Sequence, residues 1–429
     1  MKCDRKKIGF TLRALLSVTA ALTFSSCVYE AAEDYSGYFS KTQYKAFDSL
    51  SSPVIFNLPF EISLNSTTDK SLTAVPYDAG SFFVIWDSET DSVYDYVYAS
   101  GGDGTGNSIV PCYSTDSGKL YVDRDNDSSK VYTLNPSENS LSYKIHRDSE
   151  YQGKWIVSSS DNEKYALYYD VKSYSTDGEN TVRFYVFNPE DSSFGKPLTY
   201  KTNFINSISA AYNEGENCFY LMDHGDFDSS NGCTYRIFKI NVAENSISDV
   251  LCSFYSREGL EEAEESSVKT NRSYEITGTE NRKLFVRQRQ TVSEYDEEND
   301  EYYYDIENSL LVYDVDSFTY EKASVNSAEK AKSLSYVSGM FKINGSWYIL
   351  MSDGSVYSFD ADSLSVSLCA SPSFSVSLYT NDYSYAQAGS RIWFSCYSSS
   401  EEKLKFFYFD TQSLSYSEYF SLTVKELFE

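Results

Sequence analysis

Apolar residues fall in short runs along most of this chain, with clusters of polar turn residues between them. The stretch Gly345 to Ser367 shows the repeating unit in full. Trp347-Tyr348-Ile349-Leu350-Met351 is a continuous apolar run, long enough for a strand and too short for a helix. Asp353-Gly354 supplies a two-residue turn, where glycine meets the φ > 0 requirement without a steric clash. Val356-Tyr357-Ser358-Phe359 returns in alternation, Asp360 to Ser363 turns again, and Leu364, Val366 and Leu368 open a third strand.

The unit recurs along the chain. Its first strand reads Phe82-Phe83-Val84, Leu120-Tyr121-Val122, Tyr165 to Tyr169, Phe219-Tyr220-Leu221, Leu284-Phe285-Val286, Trp347-Tyr348-Ile349 and Ile392-Trp393-Phe394. The second is an aromatic, a spacer, an apolar residue and usually Asp or Asn. It reads Tyr94 to Val97, Tyr132 to Asn135, Tyr185 to Asn188, Phe238 to Asn241, Tyr313 to Asp316, Tyr357 to Asp360 and Phe407 to Asp410. A third run follows the turn at Leu141, Ile247, Leu364 and Leu414, and Ser207 to Tyr212 and Ser333 to Phe341 leave room for a strand before the hairpin. A period of about fifty residues with three or four strands per copy predicts an all-β fold. We expect a single β-propeller of seven blades, each of three to four antiparallel strands. Runs apolar on both faces suit blades stacked face to face. A pair of β-sandwiches or a β-solenoid is the alternative.

The second-strand pattern, with Asn135-Pro136 and Asn188-Pro189, resembles the repeat of kelch-like and quinoprotein-like propellers from Ala74 to Leu422. The kelch double glycine and a cofactor-ligating motif are missing, so the resemblance implies a fold and no activity. Composition agrees with the reading: aromatics make up 17% of the chain, with 40 Tyr and 27 Phe, and these residues favour strands.

The N-terminus departs from the repeat. Lys2, Arg5, Lys6 and Lys7 precede an apolar segment from Ile8 to Phe24, interrupted by Arg13, and Phe24-Ser25-Ser26-Cys27 closes it. This resembles the lipobox of bacterial lipoproteins, which implies acylation of Cys27. The expected organisation is a signal peptide over 1–26, then the attachment cysteine, a tether and packing strands over 27–73, and the propeller over 74–429. Val54-Ile55-Phe56 and Phe60 to Leu64 predict two strands around Pro59. The implied location is exported and lipid-anchored in the bacterial envelope, at the outer membrane.

A formal charge of −27 repels nucleic acid and anionic lipid heads, so nucleic acid is excluded as a partner. Six cysteines remain beyond Cys3 and Cys27, and none forms a C-x-x-C motif. Register places Phe227 opposite Cys233 and Val242 opposite Cys218, which keeps those two thiols apart. The chain has two histidines, so histidine-based catalysis has little to stand on. His146 reads as a surface strand residue and His224 as part of a solvated loop. Ser114 to Tyr121 resembles the Asp-box turn of sialidases, which is a structural element. Asp123, Asp125 and Asp127 alternate as in calcium loops but lack the glycine and the closing glutamate, and read as an acidic turn. No cofactor, metal or catalytic residue is expected, and the chain reads as a binding protein rather than an enzyme.

The turns leading into the first strand of each hairpin are tight, and the long segments are Lys172 to Asn180, His224 to Cys233, Thr291 to Asn308 and Ser256 to Asn271. Topology gathers them on one face, where binding residues usually lie. The expected site is Tyr295, Asp296, Glu298, Asp300, Tyr302, Tyr303 and Tyr304, where exposed tyrosines among acids offer rigid amphipathic contact area. The function expected from this is an envelope-anchored module for a protein or glycan ligand on that face. A glycan-processing enzyme or a structural scaffold subunit stands as the alternative.

Overall fold

The structure is a computed structural model that describes residues 53–61, 79–87, 92–100, 109–114, 120–124, 130–135, 140–145, 155–157, 165–173, 180–188, 193–202, 207–228, 230–258, 260, 268–296, 301–325, 337–373, 383–398 and 403–423. Their regular structure is entirely β-strand, in seven separate sheets. The first sheet holds β1 (Pro53–Glu61), β2 (Ala79–Asp87) and β3 (Ser92–Ser100). The second holds β4 (Ile109–Ser114), β5 (Leu120–Arg124), β6 (Lys130–Asn135) and β7 (Ser140–Ile145). In the third, β8 (Trp155–Val157), β9 (Ala166–Ser173) and β10 (Asn180–Asn188) are followed by β11 (Ser193–Phe194) and β12 (Leu198–Thr202), both paired with β10. The fourth has β13 (Ser207–Asn213), β14 (Cys218–Asp228) and β15 (Gly232–Asn241), with β16 (Ser246–Ile247) and β17 (Cys252–Tyr255) both on β15. The fifth is β18 (Val268–Glu280), β19 (Lys283–Asp296), β20 (Glu301–Asp314) and β21 (Tyr320–Lys322). The sixth comprises β22 (Ser324–Val325), β23 (Val337–Ile343), β24 (Ser346–Met351), β25 (Val356–Asp360) and β26 (Ser365–Ala370), the first lying parallel to the last. The seventh is β27 (Tyr383–Ala388), β28 (Arg391–Ser398), β29 (Lys403–Asp410) and β30 (Ser415–Thr423).

The seven expected hairpins are the antiparallel pairs β2–β3, β5–β6, β9–β10, β14–β15, β19–β20, β24–β25 and β28–β29. β24 explains why its sequence is apolar throughout. Trp347, Ile349 and Met351 pack with Phe285, Leu310 and Val312 of the fifth sheet. Tyr348 and Leu350, on the opposite face by alternation, pack with Ile392, Phe394 and Phe407 of the seventh. The fourth sheet is likewise sandwiched: Phe219 and Leu221 join the core of the third sheet, Tyr220 and Met222 that of the fifth. Truncating Ile349, which is fully buried, to alanine is expected to cost about 2–5 kcal/mol. Gly278 sits where β18 bulges, and a Cβ there would lie 2.9 Å from the Trp347 ring. The missing side chain lets Trp347 reach Phe285 edge-on at 5.0 Å and donate its indole N–H to Glu280 at 2.7 Å.

Several consecutive sheets meet through edge strands: β1 with β4, β8 with β13, β13 with β18, and β18 with β23. β1 also lies against β27 and β28, which brings the first sheet beside the last.

The Asp that ends β20, β25 and β29 has a physical role. Asp360 accepts the backbone N–H groups of Asp362 and Ser363, and Asp410 those of Gln412 and Ser413. Asp314 does the same with Asp316 and Ser317. In these three turns the residue four positions on, Leu364, Leu414 or Phe318, has φ between 51° and 54°. Strand β20 therefore ends at Asp314, not at Asp316, and the copy expected over Tyr313 to Asp316 is two residues out of phase.

Several other expectations change. β1 is one continuous strand through Pro59, where two were expected. It lies at a sheet edge, where a missing N–H is tolerated. The long loops at His224 to Cys233 and Thr291 to Asn308 are mostly ladder, because tyrosine and threonine sustain strand pairing despite their acidic neighbours. Cys233 pairs with Phe227 as expected, but Cys218 faces Asn241 instead of Val242, since a bulge between Gly225 and Phe227 absorbs one residue. Cys218, Cys233, Cys252 and Cys369 are free thiols. The N-terminal segment, with Cys27, lies outside the described residues.

Candidate functional site

The expected tyrosine-rich site is a strand hairpin, not an open loop. Tyr295 and Asp296 end β19, Tyr302, Tyr303 and Tyr304 begin β20, and Tyr295 pairs with Tyr302 and Glu294 with Tyr303. Glu298 and Asp300 lie outside the described residues.

A different place gathers chemistry. Where β13 and β18 run side by side, the Ile276 N–H donates to Ser209 Oγ at 2.9 Å, and Asn213 Nδ2 donates to Thr279 Oγ1 at 3.0 Å. Beyond the Ser209 bond a cleft of about 300 Å³ opens between the fourth and fifth sheets. The fourth sheet lines it with Ile208, Ser209, Met222, His224 and Tyr235. The fifth sheet contributes Ser273, Tyr274, Glu275, Arg287 and Arg289.

Strand alternation assembles the wall on the fourth sheet. Met222 and His224 share the face of β14 that looks toward the fifth sheet, and Tyr235 stands directly opposite His224 on β15. Tyr235 is fixed by stacking on Phe254 at 5.6 Å and by Tyr274 edge-on at 5.0 Å, and the imidazole of His224 sits 5.1 Å from its ring. On the fifth sheet Arg287 pairs across the ladder with Glu275, and Arg289 with Ser273. Arg287 forms an ion pair with Glu275 and also donates to the Val337 carbonyl of the sixth sheet. Gln288 shares the face of Val286 that looks toward the fourth sheet and donates to Tyr274 Oη at 3.0 Å, whereas Arg287 and Arg289 share the face of Phe285, which packs toward the sixth sheet.

Behind the cleft, on the opposite face of β14, lies a buried ion pair. Arg236 donates from Nε to Asp223 Oδ1 at 3.1 Å and from Nη2 to Oδ2 at 2.6 Å, and it also reaches Thr202 Oγ1. The guanidinium lies over Tyr200, 5.6 Å from the ring centre. Burial pushes the Asp223 carboxyl above the usual carboxylate range, against the pull of Arg236 and Thr202. Removing one partner of such a pair leaves a buried charge and costs about 3–5 kcal/mol. This pair therefore holds β14 and β15 in place behind the cleft.

His224 is the exceptional group. Its Nδ1 is buried and has no hydrogen-bond partner. Burial lowers its pKa, with the smaller opposing influence of Asp223 behind it, so the ring is neutral at pH 7. Burial pushes Tyr235 up to about 12 and also raises Tyr274, so both phenols stay protonated. The charges lining the cleft are thus Arg287, Arg289 and Glu275. Among the described residues no group of three or more His, Cys, Asp or Glu is arranged to hold a metal ion.

The expectation of His224 in a solvated loop is corrected: it is a half-buried strand residue. A signal for the other wall was present in Arg287-Gln288-Arg289-Gln290, since two arginines at alternate strand positions share one face.

Neither a protein-family model nor a curated protein sequence matches the chain. Solved structures of similar overall form exist. A cobalt-substituted apocarotenoid oxygenase of Synechocystis is 11% identical over 92% of this chain and 96% of its own, with a TM-score of 0.48. A chimera of that oxygenase with RPE65 has the same identity and coverage at a TM-score of 0.46. The β-propeller domain of the Trilobed protease from Pyrococcus furiosus is 10% identical over 86% of this chain and 92% of its own, at 0.42. The expectation of a protein- or glycan-binding envelope module, with its glycan-processing and scaffold alternatives, is corrected here, because the chains of similar form include oxygenases and a protease domain. At this identity they lend the present chain no activity.

Proposed function

We propose that this chain is an exported protein, tethered through a lipid on Cys27, whose sheets close into a seven-bladed propeller and which binds a small molecule between its fourth and fifth sheets. Closure is supported by β1 lying against β27 and β28. Export is supported by the basic, apolar and small-residue order that ends at Cys27.

The observation that carries the binding reading is the cleft itself. It brings aromatic, cationic and hydroxyl-bearing residues around a volume of about 300 Å³, at the lower end of ligand pockets.

The test is a thermal-shift screen of the mature protein against a chemically broad metabolite panel, run beside Ser273→Trp. Ser273 is exposed at the rim and lines the cleft, so the indole fills the mouth without entering the core. The reading expects compounds that raise the Tm of the wild type and not of the variant. A panel in which no compound separates the two proteins contradicts it.

A further inference from the structure

His224 marks the point where the fourth sheet changes construction. Ser207, the first residue of β13, pairs with it, so β13 covers β14 up to the imidazole and no farther. Beyond it the ladder bulges between Gly225 and Phe227 and runs on to Asp228 opposite Gly232. Among the described residues, β15 is the one strand paired with that end of β14. The β15 side is clasped from outside. Ser256 Oγ accepts the Cys233 N–H at 2.9 Å, and the Ser256 and Arg257 N–H groups donate to the carbonyls of Cys233 and Asn231. A two-stranded ladder is marginal by itself, so the end of β14 is the part of this sheet that opens at least cost.

The imidazole there suits one charge state. Its Nδ1 is buried without a hydrogen-bond partner, beside the Tyr235 ring at 5.1 Å. A neutral imidazole tolerates this by carrying its proton on the other nitrogen, whereas an imidazolium is a donor at both nitrogens and needs an acceptor for each. The surrounding carboxylates are already paired with cations: Asp223 behind the strand with Arg236, Glu275 with Arg287, and Glu307 with Lys322. Cys233 and Tyr235 of β15 and Tyr274 of β18 face the same interface, and burial raises all three, so they stay uncharged in neutral and mildly acidic solution. Arg272 of β18 adds a cation, held by Gln290 Oε1 at 2.9 Å and the Glu258 carbonyl at 3.1 Å, and Arg289 lines the cleft. The face of Tyr235 attracts a cation and offsets part of the cost. The balance still favours the neutral ring in place, since burial lowers its pKa.

We infer that His224 is an acid-operated latch on the cleft: the neutral ring holds the end of β14 in place, and the protonated ring leaves for solvent, frees residues 225–228 and widens the cleft. The latch regulates the site of the small-molecule reading above and rests on that reading for its purpose, but it is tested without a ligand.

Hydrogen–deuterium exchange of the mature wild type, His224→Gln and His224→Phe is followed from pH 7 to pH 5, each rate divided by the intrinsic rate at that pH. Gln removes the titrating group and Phe keeps an aromatic ring, so either serves if the other fails to fold. In the wild type, residues 222–228 should lose protection by about tenfold per pH unit below 6.5, the unfolded value, until the folded ring takes its proton. Neither variant should show this loss, although both keep Asp223, and the β24–β25 hairpin should stay protected in all three proteins. The His224 imidazole resonance, identified by its persistence in His146→Gln, should titrate below 6.5. Equal losses in the wild type and the variants would overturn the latch, as would a loss shared by β24–β25, which signals general unfolding. An imidazole midpoint at or above 6.5 would overturn it too, because the ring then takes its proton in place. The metabolite screen decides the ligand separately.

Discussion

Leu414 shows how far the repeat constrains single residues. It holds φ at 51°, in the left-handed region that L side chains rarely adopt, and 46% of its surface is exposed. Leu364, in the matching turn of the sixth sheet, has φ 54° but packs against the core. Leu414→Gly should therefore raise stability by about 0.5–1 kcal/mol, whereas Leu364→Gly should lower it, as urea titration of the two variants would reveal. His224 governs stability in a different way. Its native pKa lies below the unfolded value of 6.5. Below that value the unfolded chain takes a proton that the folded ring refuses. The stability this provides is complete above pH 6.5 and is lost as pH falls through the folded pKa. Asp223, whose carboxyl is held up by burial, works in the opposite sense but is common to the wild type and to His224→Gln. The Tm of the wild type should thus fall more between pH 7 and pH 5 than that of His224→Gln. Parallel curves would mean that the ring is protonated to the same extent in both states.

Elements were legible wherever a short run of apolar residues carried the period. All seven hairpins follow from that pattern, since strands covered on both faces leave little else for Trp347 to Met351 or Leu284 to Val286 to do. Charge misled the reading where strands run past the core. Thr291 to Asn308 is rich in acids and reads as loop, yet Thr291 pairs with Ile306 and Ser293 with Tyr304, because ladder hydrogen bonds do not depend on side-chain polarity. The cleft was nearly invisible for a related reason. His224, Tyr274 and Arg289 lie far apart in sequence and come together only when the fourth sheet stacks on the fifth. The extended β19–β20 hairpin gives a direct test of register. Deleting Asp305 alone shifts β20 by one position and turns Leu311 and Tyr313, both buried, toward the wrong face. Replacing Ser293–Tyr304 by an Asn-Gly turn removes paired positions symmetrically and leaves that register alone. The deletion should lower Tm sharply and the symmetric trim only slightly. A larger loss in the trimmed protein would mean that the distal ladder supports the core.

At the scale of the molecule, β1 lying against β27 and β28 ties the described N-terminal strand to the C-terminal sheet, where the proposed closure falls. Cys27→Ser should release the protein from membranes and abolish incorporation of labelled fatty acid. Retention of the variant on membranes, with no label on the wild type, would contradict the anchor. The central claim is that the space between the fourth and fifth sheets holds a small molecule. Saturation-transfer difference NMR tests it most directly, with one metabolite mixture added to the mature wild type and to Ser273→Trp at equal concentration. The account predicts signals from a few compounds with the wild type that vanish with the variant. Identical spectra from the two proteins would contradict it.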